Sequence, residues 1–334
     1  MPRVSVVIPV HDGANFVGEA IDSALGQTWP NVEVIVVDDG SDDGGRTVRI
    51  ARSYGDRIRF IEKDHGGVSS ALNAGIDAMT GDFFAWLSHD DVYLPHKLER
   101  QVAAILPLGD DAIVYSDYEL VGPDLRRIKR KVLPDVPAAG FRVWLMASSS
   151  LHGCTVLVPR SAFASERFDE RLSTTQDYDM WFRLARSRRF VRVPEILLRY
   201  RIHHEQESWT NPRRVDEGNR LLVGFLDAIG PAEIQAATEV PPSIVYLRAA
   251  VRYKMRGYRD AAAHALELSG REARSPSQRL APARLITLGA YYLANQRLRP
   301  MDWWKHAHFR SARPVDAASP RLGLGSSGDP AGDP

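Results

Sequence analysis

The stretch VEVIVVDDGSD, residues 32–42, decides the fold class of this chain. Its first part, Val32–Val37, is rich in Val and Ile, which is typical of a strand buried on both faces of a parallel sheet. It ends in a polar loop, Asp38–Asp42, that can cap a following helix. An earlier run of the same kind, Val4–Ile8, ends in the polar loop Pro9–Asp12. The pattern predicts two buried strands with polar ends.

Strand-like and helix-like segments alternate through the first 120 residues. Apolar residues at helical spacing occupy 15–25, between the first two strands. Further strands are predicted at Ile58–Ile61, Phe83–Leu87 and Ile113–Tyr115. This alternation predicts an α/β fold with a mostly parallel central sheet and flanking helices. Ligands bind beyond the carboxyl ends of such strands, so the polar loops there, including His89–Asp91, are expected to converge.

The rest of the chain changes character. Strands are predicted at Thr155–Val158 and Ile196–Arg201, and the pattern from about residue 215 onward is helical. We therefore expect an α/β domain over residues 1–212 and a helical C-terminal region over 213–314. The last segment, 315–334, is rich in Gly, Ser, Pro and Asp, and this composition predicts a disordered tail.

Composition excludes several classes of protein. The chain has 43 basic and 42 acidic residues, so no overall charge attracts nucleic acid, and no nucleic-acid partner is expected. Its single cysteine, Cys154, cannot form an intramolecular disulfide, which is compatible with a reducing compartment. No uncharged run of about 20 apolar residues is present, so no transmembrane helix is predicted. We expect a cytoplasmic protein.

Carboxylates follow the predicted strands at several points, and each admits two interpretations. Asp90 and Asp91 come directly after a buried strand, where they can hold Mg²⁺ or Mn²⁺ on a diphosphate, or Asp91 can cap the next helix. Asp39 can bind a base or ribose, or it can simply cap a loop. Asp177 and Asp179 begin a predicted helix, where they either complement the helix dipole or provide a general base.

Taken together, these motifs resemble family 2 glycosyltransferases of the GT-A fold. Their order and spacing agree with that family from Ser5 to Trp181, whereas the C-terminal third is not covered. The matching segments are SVVIPV at 5–10 with Asp12, VVDDGS at 36–41, GGVS at 66–69, GDF at 81–83, SHDD at 88–91, FDE at 168–170 and QDYDMW at 176–181.

The resemblance implies an inverting, metal-dependent transferase. Mn²⁺ or Mg²⁺ would stabilise the departing diphosphate, while a carboxylate activates the acceptor hydroxyl on the opposite face of the sugar. The residues implied are Pro9 and His11 in the nucleoside pocket, Asp39 against the base or ribose, Asp90 against the ribose or sugar, Asp91 as the metal ligand and Asp177 as the general base.

Three further positions bear on this assignment. His203 matches a position where relatives often place a metal or phosphate ligand, although a surface histidine is the alternative. Leu72 stands where many relatives carry an arginine, and Lys63 or Arg201 could supply the missing charge. Gln176 replaces a glutamate of the family motif, and this exchange leaves the role of Asp177 intact.

The function expected from the resemblance is transfer of a hexose or deoxyhexose from a nucleotide-diphosphate sugar to an acceptor hydroxyl. A saccharide or lipid-linked acceptor is expected, in bacterial surface polysaccharide, glycolipid or lipid-linked oligosaccharide synthesis. The alternative is a non-catalytic nucleotide- or sugar-binding relative, against which Asp91 and Asp177 argue. A nicotinamide dehydrogenase is excluded because the loop at 9–13 reads PVHDG and lacks the glycine fingerprint.

Aromatic residues are mixed with basic residues in segment 291–313. Such a mixture suits a membrane interface, and would place the protein peripherally at the inner face of the plasma membrane. The other interpretation, which we favour from the sequence, is a helix that packs on the catalytic domain.

Overall fold

The computed structural model describes residues 1–148, 151–206 and 210–273. Segments 291–313 and 315–334, for which a membrane contact and a disordered tail were predicted, lie outside these residues. The described chain forms a nine-stranded sheet flanked by helices. Across the sheet the strands are ordered β3 (Arg59–Lys63), β2 (Val32–Asp39), β1 (Val4–Val10), β4 (Phe83–Trp86), β8 (Val156–Pro159), β6 (Ala112–Val121), β9 (Arg189–Arg201) and β5 (Val92–Tyr93), with β7 (Arg127–Lys131) paired to β6. The predicted α/β class is confirmed.

The first half of the sheet is parallel, as the apolar runs predict. β1 pairs with β2 and β4, and β2 pairs with β3, all in parallel register. All seven residues of β1 are buried, because helices cover the sheet. The elements are β1 (Val4–Val10), α1 (Val17–Leu25), β2 (Val32–Asp39), α2 (Arg46–Arg52), β3 (Arg59–Lys63), α3 (Val68–Ala78) and β4 (Phe83–Trp86).

The second half of the sheet is mixed. Short antiparallel pairings join β8 to β4 and β6, and β5 to β9, whereas the long β6–β9 pairing is parallel. The elements are β5 (Val92–Tyr93), α4 (Lys97–Ile105), β6 (Ala112–Val121), β7 (Arg127–Lys131), α5 (Phe141–Ser148), β8 (Val156–Pro159), α6 (Gln176–Leu184) and β9 (Arg189–Arg201).

Two of these strands are longer than the sequence predicts. β6 continues past Tyr115 through polar residues that would end an ordinary buried strand. Asp117 on β6 forms an ion pair with Arg192 on β9, with 2.6 Å between Oδ2 and Nη2. Glu119 pairs in the same way with Arg199 at 3.1 Å. Because opposite charges on paired strands compensate each other, both strands extend across the polar stretch.

The C-terminal region is helical, as predicted, over its described part. Its helices pack against α5 and α6: the Phe182 and Phe225 rings stack with centroids 3.8 Å apart, and the Tyr253 hydroxyl donates to the Met146 carbonyl. The boundary between residues 212 and 213 stays a prediction. The helices are α7 (Arg214–Ala228), α8 (Pro231–Ala237), α9 (Pro242–Met255) and α10 (Arg259–Arg271).

None of the helices within the described ranges combines the length and the hydrophobicity that crossing a lipid bilayer requires.

Candidate active site

The polar loops at the carboxyl ends of β1, β2 and β4 converge, as the topology predicts. The Asp42 amide donates to Asp12 Oδ1 at 2.7 Å and so joins the first two loops. Together with α6 and α9 they surround a cavity of about 1940 Å³. Single-ligand pockets measure roughly 300–1,000 Å³, so the cavity has room for two substrates. Six predicted site residues line it: Pro9, His11, Asp39, Asp90, Asp177 and His203.

Asp90 and His203 form a pair in the cavity wall. His203 follows β9, and its Nε2 lies 3.0 Å from Asp90 Oδ2, while the Gln206 amide donates to the same oxygen at 3.3 Å. Burial opposes ionisation of Asp90, but the hydrogen bond from His203 and the nearby imidazoles outweigh it and lower its pKa to about 2. An ionised carboxylate therefore stands beside an imidazole.

Asp91, the predicted metal ligand, lies behind the wall. Its side chain is fully buried and does not line the cavity. Oδ1 accepts the backbone N–H of Arg201 at 3.0 Å. Burial, together with the adjacent charge of Asp90, raises the pKa of Asp91 well above its usual range. The geometry therefore brings Asp90, rather than Asp91, to His203 and to the cavity, because the turn after β4 points successive side chains in different directions.

A second group of donors surrounds Asp91. Its ligand atoms and those of His152 and Cys154 lie within 4.8 Å of one another. Burial lowers the pKa of His152 to about 4 and raises that of the Cys154 thiol. The Ser88 amide donates to Cys154 Sγ at 3.2 Å. Because this set of donors includes a thiol, it suits softer cations than Mg²⁺ or Mn²⁺. Those two ions prefer oxygen ligands, which the carboxylate of Asp90 supplies.

Arg201 holds the Asp90–Asp91 turn in place. Its side chain is only 1% exposed, and Nε donates to the Asp90 carbonyl at 2.7 Å. Nη2 reaches Glu19 Oε2 at 2.8 Å, and the guanidinium lies 4.1 Å from the centroid of the Phe16 ring. Protein groups engage this buried guanidinium, which argues against Arg201 as the phosphate ligand that replaces the arginine missing at Leu72.

Asp39 ties β2 to the loop that follows β3. Its Oδ1 accepts a hydrogen bond from Lys63 Nζ at 2.7 Å, and its Oδ2 accepts one from the Gly67 amide at 2.7 Å. The Asp39 side chain is only 4% exposed, so its hydrogen bonds serve mainly to hold this loop in place. Gly40 permits the close approach of the end of β2 to this loop. Its φ is +72°, and an added Cβ would lie 2.7 Å from the backbone nitrogen of His65.

Two imidazoles cover this end of the cavity. Nδ1 of His11 and Nδ1 of His65 both lie 3.0 Å from the Asp39 carbonyl oxygen. Their ring centroids are 4.4 Å apart. His65 was not predicted from the sequence, although it directly precedes the Gly66-Gly67 motif. The two rings are tilted by 40° to each other, and either one offers an aromatic face to a nucleobase. We call this part of the cavity the donor end.

Asp177 lies in the first turn of α6 and lines the cavity. Its Oδ1 accepts the Tyr178 amide at 2.8 Å, and the Gly153 amide also donates to its carboxylate. Burial outweighs these hydrogen bonds and raises the pKa of Asp177 to about 7. A carboxylate with this pKa can accept a proton near neutral pH. We call this part of the cavity, around Asp177, the acceptor end.

Glu217 on α7 anchors the segment that leads to Asp177, and sequence reasoning missed it. The amides and hydroxyls of Ser173, Thr174 and Thr175 all donate to its carboxylate, at 2.7–3.0 Å. The charge of Glu217 also contributes to the raised pKa of Asp177, after burial. The only signal in the sequence is the run of three hydroxyl residues, which does not reveal its partner on a distant helix.

Comparisons with known proteins now identify the family. The protein-family model described as Glycosyl transferase family 2 matches residues 5–165. An uncharacterized glycosyltransferase of Rickettsia prowazekii is 42% identical over 245 residues, which cover 70% of this chain and 74% of the relative. The chain belongs to glycosyltransferase family 2.

Other similar proteins are longer than this chain. An uncharacterized glycosyltransferase of Rickettsia felis is 42% identical over 245 residues, covering 72% of this chain but 41% of the relative. The chondroitin synthase of Pasteurella multocida is 29% identical over 219 residues, covering 63% of this chain and 22% of that protein. The chain thus spans less than half the length of both relatives.

Solved structures agree on the fold. S. aureus TarS 1-349 in complex with UDP-GlcNAc gives a TM-score of 0.60 at 16% identity, covering 87% of each chain. A mannosyltransferase of Pyrobaculum calidifontis, in complex with GDP-Man and Mn²⁺, gives 0.55 at 20% identity, covering 91% of this chain and 83% of that one. The predicted family and GT-A fold are confirmed, and the roles of individual residues stay predictions.

Proposed function

We propose that this glycosyltransferase moves a sugar from a nucleotide-diphosphate donor to an acceptor hydroxyl, with inversion at the anomeric carbon. One observation carries the proposal: Asp177, whose pKa is raised to about 7, faces the same cavity as the Asp90–His203 pair. A base and a diphosphate site on opposite sides of one sugar favour in-line displacement. No covalent intermediate is then needed.

The donor set supports a hard divalent cation at Asp90 and His203. The carboxylate of Asp90 is ionised at neutral pH, and carboxylate and imidazole donors beside diphosphate oxygens suit Mn²⁺ or Mg²⁺. The ligand role that the sequence pattern gave to Asp91 thus passes to Asp90 in this proposal. When bound, such an ion would supply positive charge that stabilises the departing diphosphate.

The remaining steps belong to the chain's own residues. The imidazoles of His11 and His65 form a platform for the nucleobase, and Pro9 borders it. Asp177 accepts the proton of the acceptor hydroxyl as that oxygen attacks the anomeric carbon and the bond to the diphosphate breaks. Glu217 keeps Asp177 in place through the 173–175 segment.

Neighbouring proteins support the substrate class. The names of two structural neighbours include UDP-GlcNAc and GDP-Man as bound ligands, and a relative is named chondroitin synthase. We therefore propose a nucleotide-diphosphate hexose as donor. We propose a growing saccharide or lipid-linked glycan as acceptor, in surface polysaccharide, glycolipid or lipid-linked oligosaccharide synthesis.

The test is an assay of nucleoside diphosphate release from UDP-, GDP- and dTDP-hexoses, with Mn²⁺ or with EDTA. The proposal expects release from one donor class with Mn²⁺ and its loss in EDTA. Proton NMR of the product should show the anomeric configuration opposite to that of the donor. Release that persists in EDTA would contradict the metal dependence. Retention of configuration would contradict the single-displacement mechanism.

A further inference from the structure

Cationic side chains from two separate elements line the acceptor end. Arg252 lies in the last turn of α9, and Arg256 follows one turn later, directly after the helix. Lys131 is the last residue of β7. All three line the cavity that holds Asp177. The C-terminal helical region and the edge of the sheet therefore both bring positive charge to the same part of the site.

These cations meet around two tyrosines beside the base. Lys131 lies opposite Tyr118 in the β6–β7 register. The charge of Arg256 acts on the hydroxyls of both Tyr118 and Tyr178, and that of Arg252 acts on Tyr178. Tyr178 follows Asp177 directly in α6. The positive charge is therefore concentrated where an acceptor hydroxyl has to approach its base.

Cations that converge beside the proposed base can bind a negative group on the acceptor. Burial dominates the raised pKa of Asp177, which is about 7 with these cations in place, so they do not prevent the carboxylate from acting as a base. A negative group on the acceptor would therefore gain charge-assisted hydrogen bonds close to a competent base. In the proposed function, the donor's diphosphate is bound at Asp90 and His203.

We propose that the acceptor carries an anionic group, a phosphate or a carboxylate, close to its nucleophilic hydroxyl, and that Arg252, Arg256 and Lys131 bind this group. Guanidinium groups match phosphate and carboxylate oxygens with paired, charge-assisted hydrogen bonds. The inference rests on the proposed function, because it defines the acceptor of that same site. It leaves two sources of the anion, the phosphate of a lipid-linked acceptor and the carboxylate of an acidic sugar.

The chain offers a matched control for this inference. Lys254 lies on α9 between the two arginines, but it is exposed and does not line the cavity. Lys254→Gln removes the same charge from the same stretch of chain as Arg252→Gln and Arg256→Gln. A general effect of charge on ligand binding would appear in all three variants. A specific anion site would be weakened by the two arginine variants and unaffected by Lys254→Gln.

The experiment measures binding of glucose 1-phosphate, glucuronate and methyl glucoside to the full chain by calorimetry, with the donor site saturated by nucleotide and Mn²⁺. One anionic probe should bind at least about tenfold more tightly than methyl glucoside. Arg252→Gln and Arg256→Gln should each remove most of this preference, whereas Lys254→Gln retains it. Preference for glucose 1-phosphate would indicate a lipid-linked phosphate, and preference for glucuronate an acidic sugar.

Two results would overturn the inference. One is equal affinity for anionic and neutral probes, including no binding of either. The other is an anion preference that both arginine variants retain. Nucleotide affinity, measured in the same titrations, separates this failure from that of the proposed function. If no nucleotide binds, the donor assignment fails, and the probes are then compared on the nucleotide-free protein.

Discussion

The donor end of the cavity is built by strand ends, whereas the acceptor end is built by side chains that arrive from four separate elements. At the donor end, Asp39 and the two imidazoles are held by backbone atoms within residues 11–67. At the acceptor end, Asp177 depends on α7 for its position, and its surroundings include α9. The family model ends at residue 165, before Asp177, Glu217 and the arginines of the C-terminal region.

This difference predicts that the two ends of the site respond differently to substitution. A donor site fixed by backbone hydrogen bonds changes little when side chains are exchanged. An acceptor site assembled from the C-terminal helices can change whenever those helices change. Variants at the acceptor end should therefore alter turnover and leave nucleotide binding intact, and variants at the donor end should do the reverse.

The largest effect is expected for Asp177→Asn. The amide has nearly the same shape but cannot accept the acceptor's proton, so kcat should fall by roughly 10²–10⁴-fold. The affinity for the nucleotide should stay within about twofold, since the donor end is untouched. Asp179→Asn is the matched control, because Asp179 lies two positions later in α6 and binds Arg183 at 2.9 Å. A loss of activity in the control alone would contradict the assignment.

Glu217→Gln should have the next largest effect. The amide nitrogen of glutamine meets hydroxyls and amides that all donate, so part of the network is lost at a cost of about 2–3 kcal/mol in the free energy of unfolding. Turnover should fall by about tenfold, because the segment before Asp177 loosens. Denaturant unfolding and kcat check this, with the exposed Glu239→Gln as control. Unchanged turnover in a destabilised protein would show that Glu217 does not position the base.

The pH dependence should follow Asp177. Only the ionised carboxylate accepts a proton, so with a pKa of about 7 the rate should rise by about tenfold between pH 6 and pH 8.

The free energy of unfolding should change with pH in the opposite direction. Because the folded-state pKa is raised, the folded protein keeps a proton that the unfolded chain releases near pH 4, and stability falls as pH rises from about 4 to about 7. Asp177→Asn should make this fall smaller, and the remainder belongs to Asp91 and Asp179, whose pKa values burial also raises. A fall of unchanged size would contradict the raised pKa of Asp177.

The smallest effect is expected at the donor end, from His65→Ala. Loss of one ring of the imidazole pair should weaken nucleotide binding by about fivefold, which is the usual size of one aromatic contact. kcat at saturating donor should not change. His96→Ala removes an exposed histidine away from the cavity and serves as control. A fall in kcat without a change in nucleotide affinity would contradict the division of the cavity into a donor end and an acceptor end.

Much of the fold was predictable because buried parallel strands have a clear signature. The convergence of Pro9, Asp39 and Asp90 follows from strand order alone, since the carboxyl ends of parallel strands share one edge. The extension of β6 was not predictable, because it depends on ion pairs with β9. Glu217 was missed for a similar reason: its hydrogen-bonding partners lie more than 40 residues away, and no local pattern marks the contact.

The choice between Asp90 and Asp91 shows the same limit at the scale of one residue. Two adjacent carboxylates look equivalent in a sequence, and the direction of each side chain is set by the turn that Arg201 holds. Asp91 is buried against a backbone amide, while Asp90 faces His203. The resemblance led to Asp91, and the geometry favours Asp90.

The most direct test is a calorimetric titration of UDP, GDP and dTDP, with and without Mn²⁺, into the wild type, Asp90→Asn and Asp91→Asn. We expect one nucleotide to bind only with Mn²⁺. Asp90→Asn should weaken this binding by at least about tenfold, whereas Asp91→Asn, which replaces a buried carboxyl group outside the cavity by an amide of equal size, should retain it within about threefold. Binding that survives in Asp90→Asn but is lost in Asp91→Asn would contradict the proposed metal site, and no nucleotide binding at all would contradict the donor site itself.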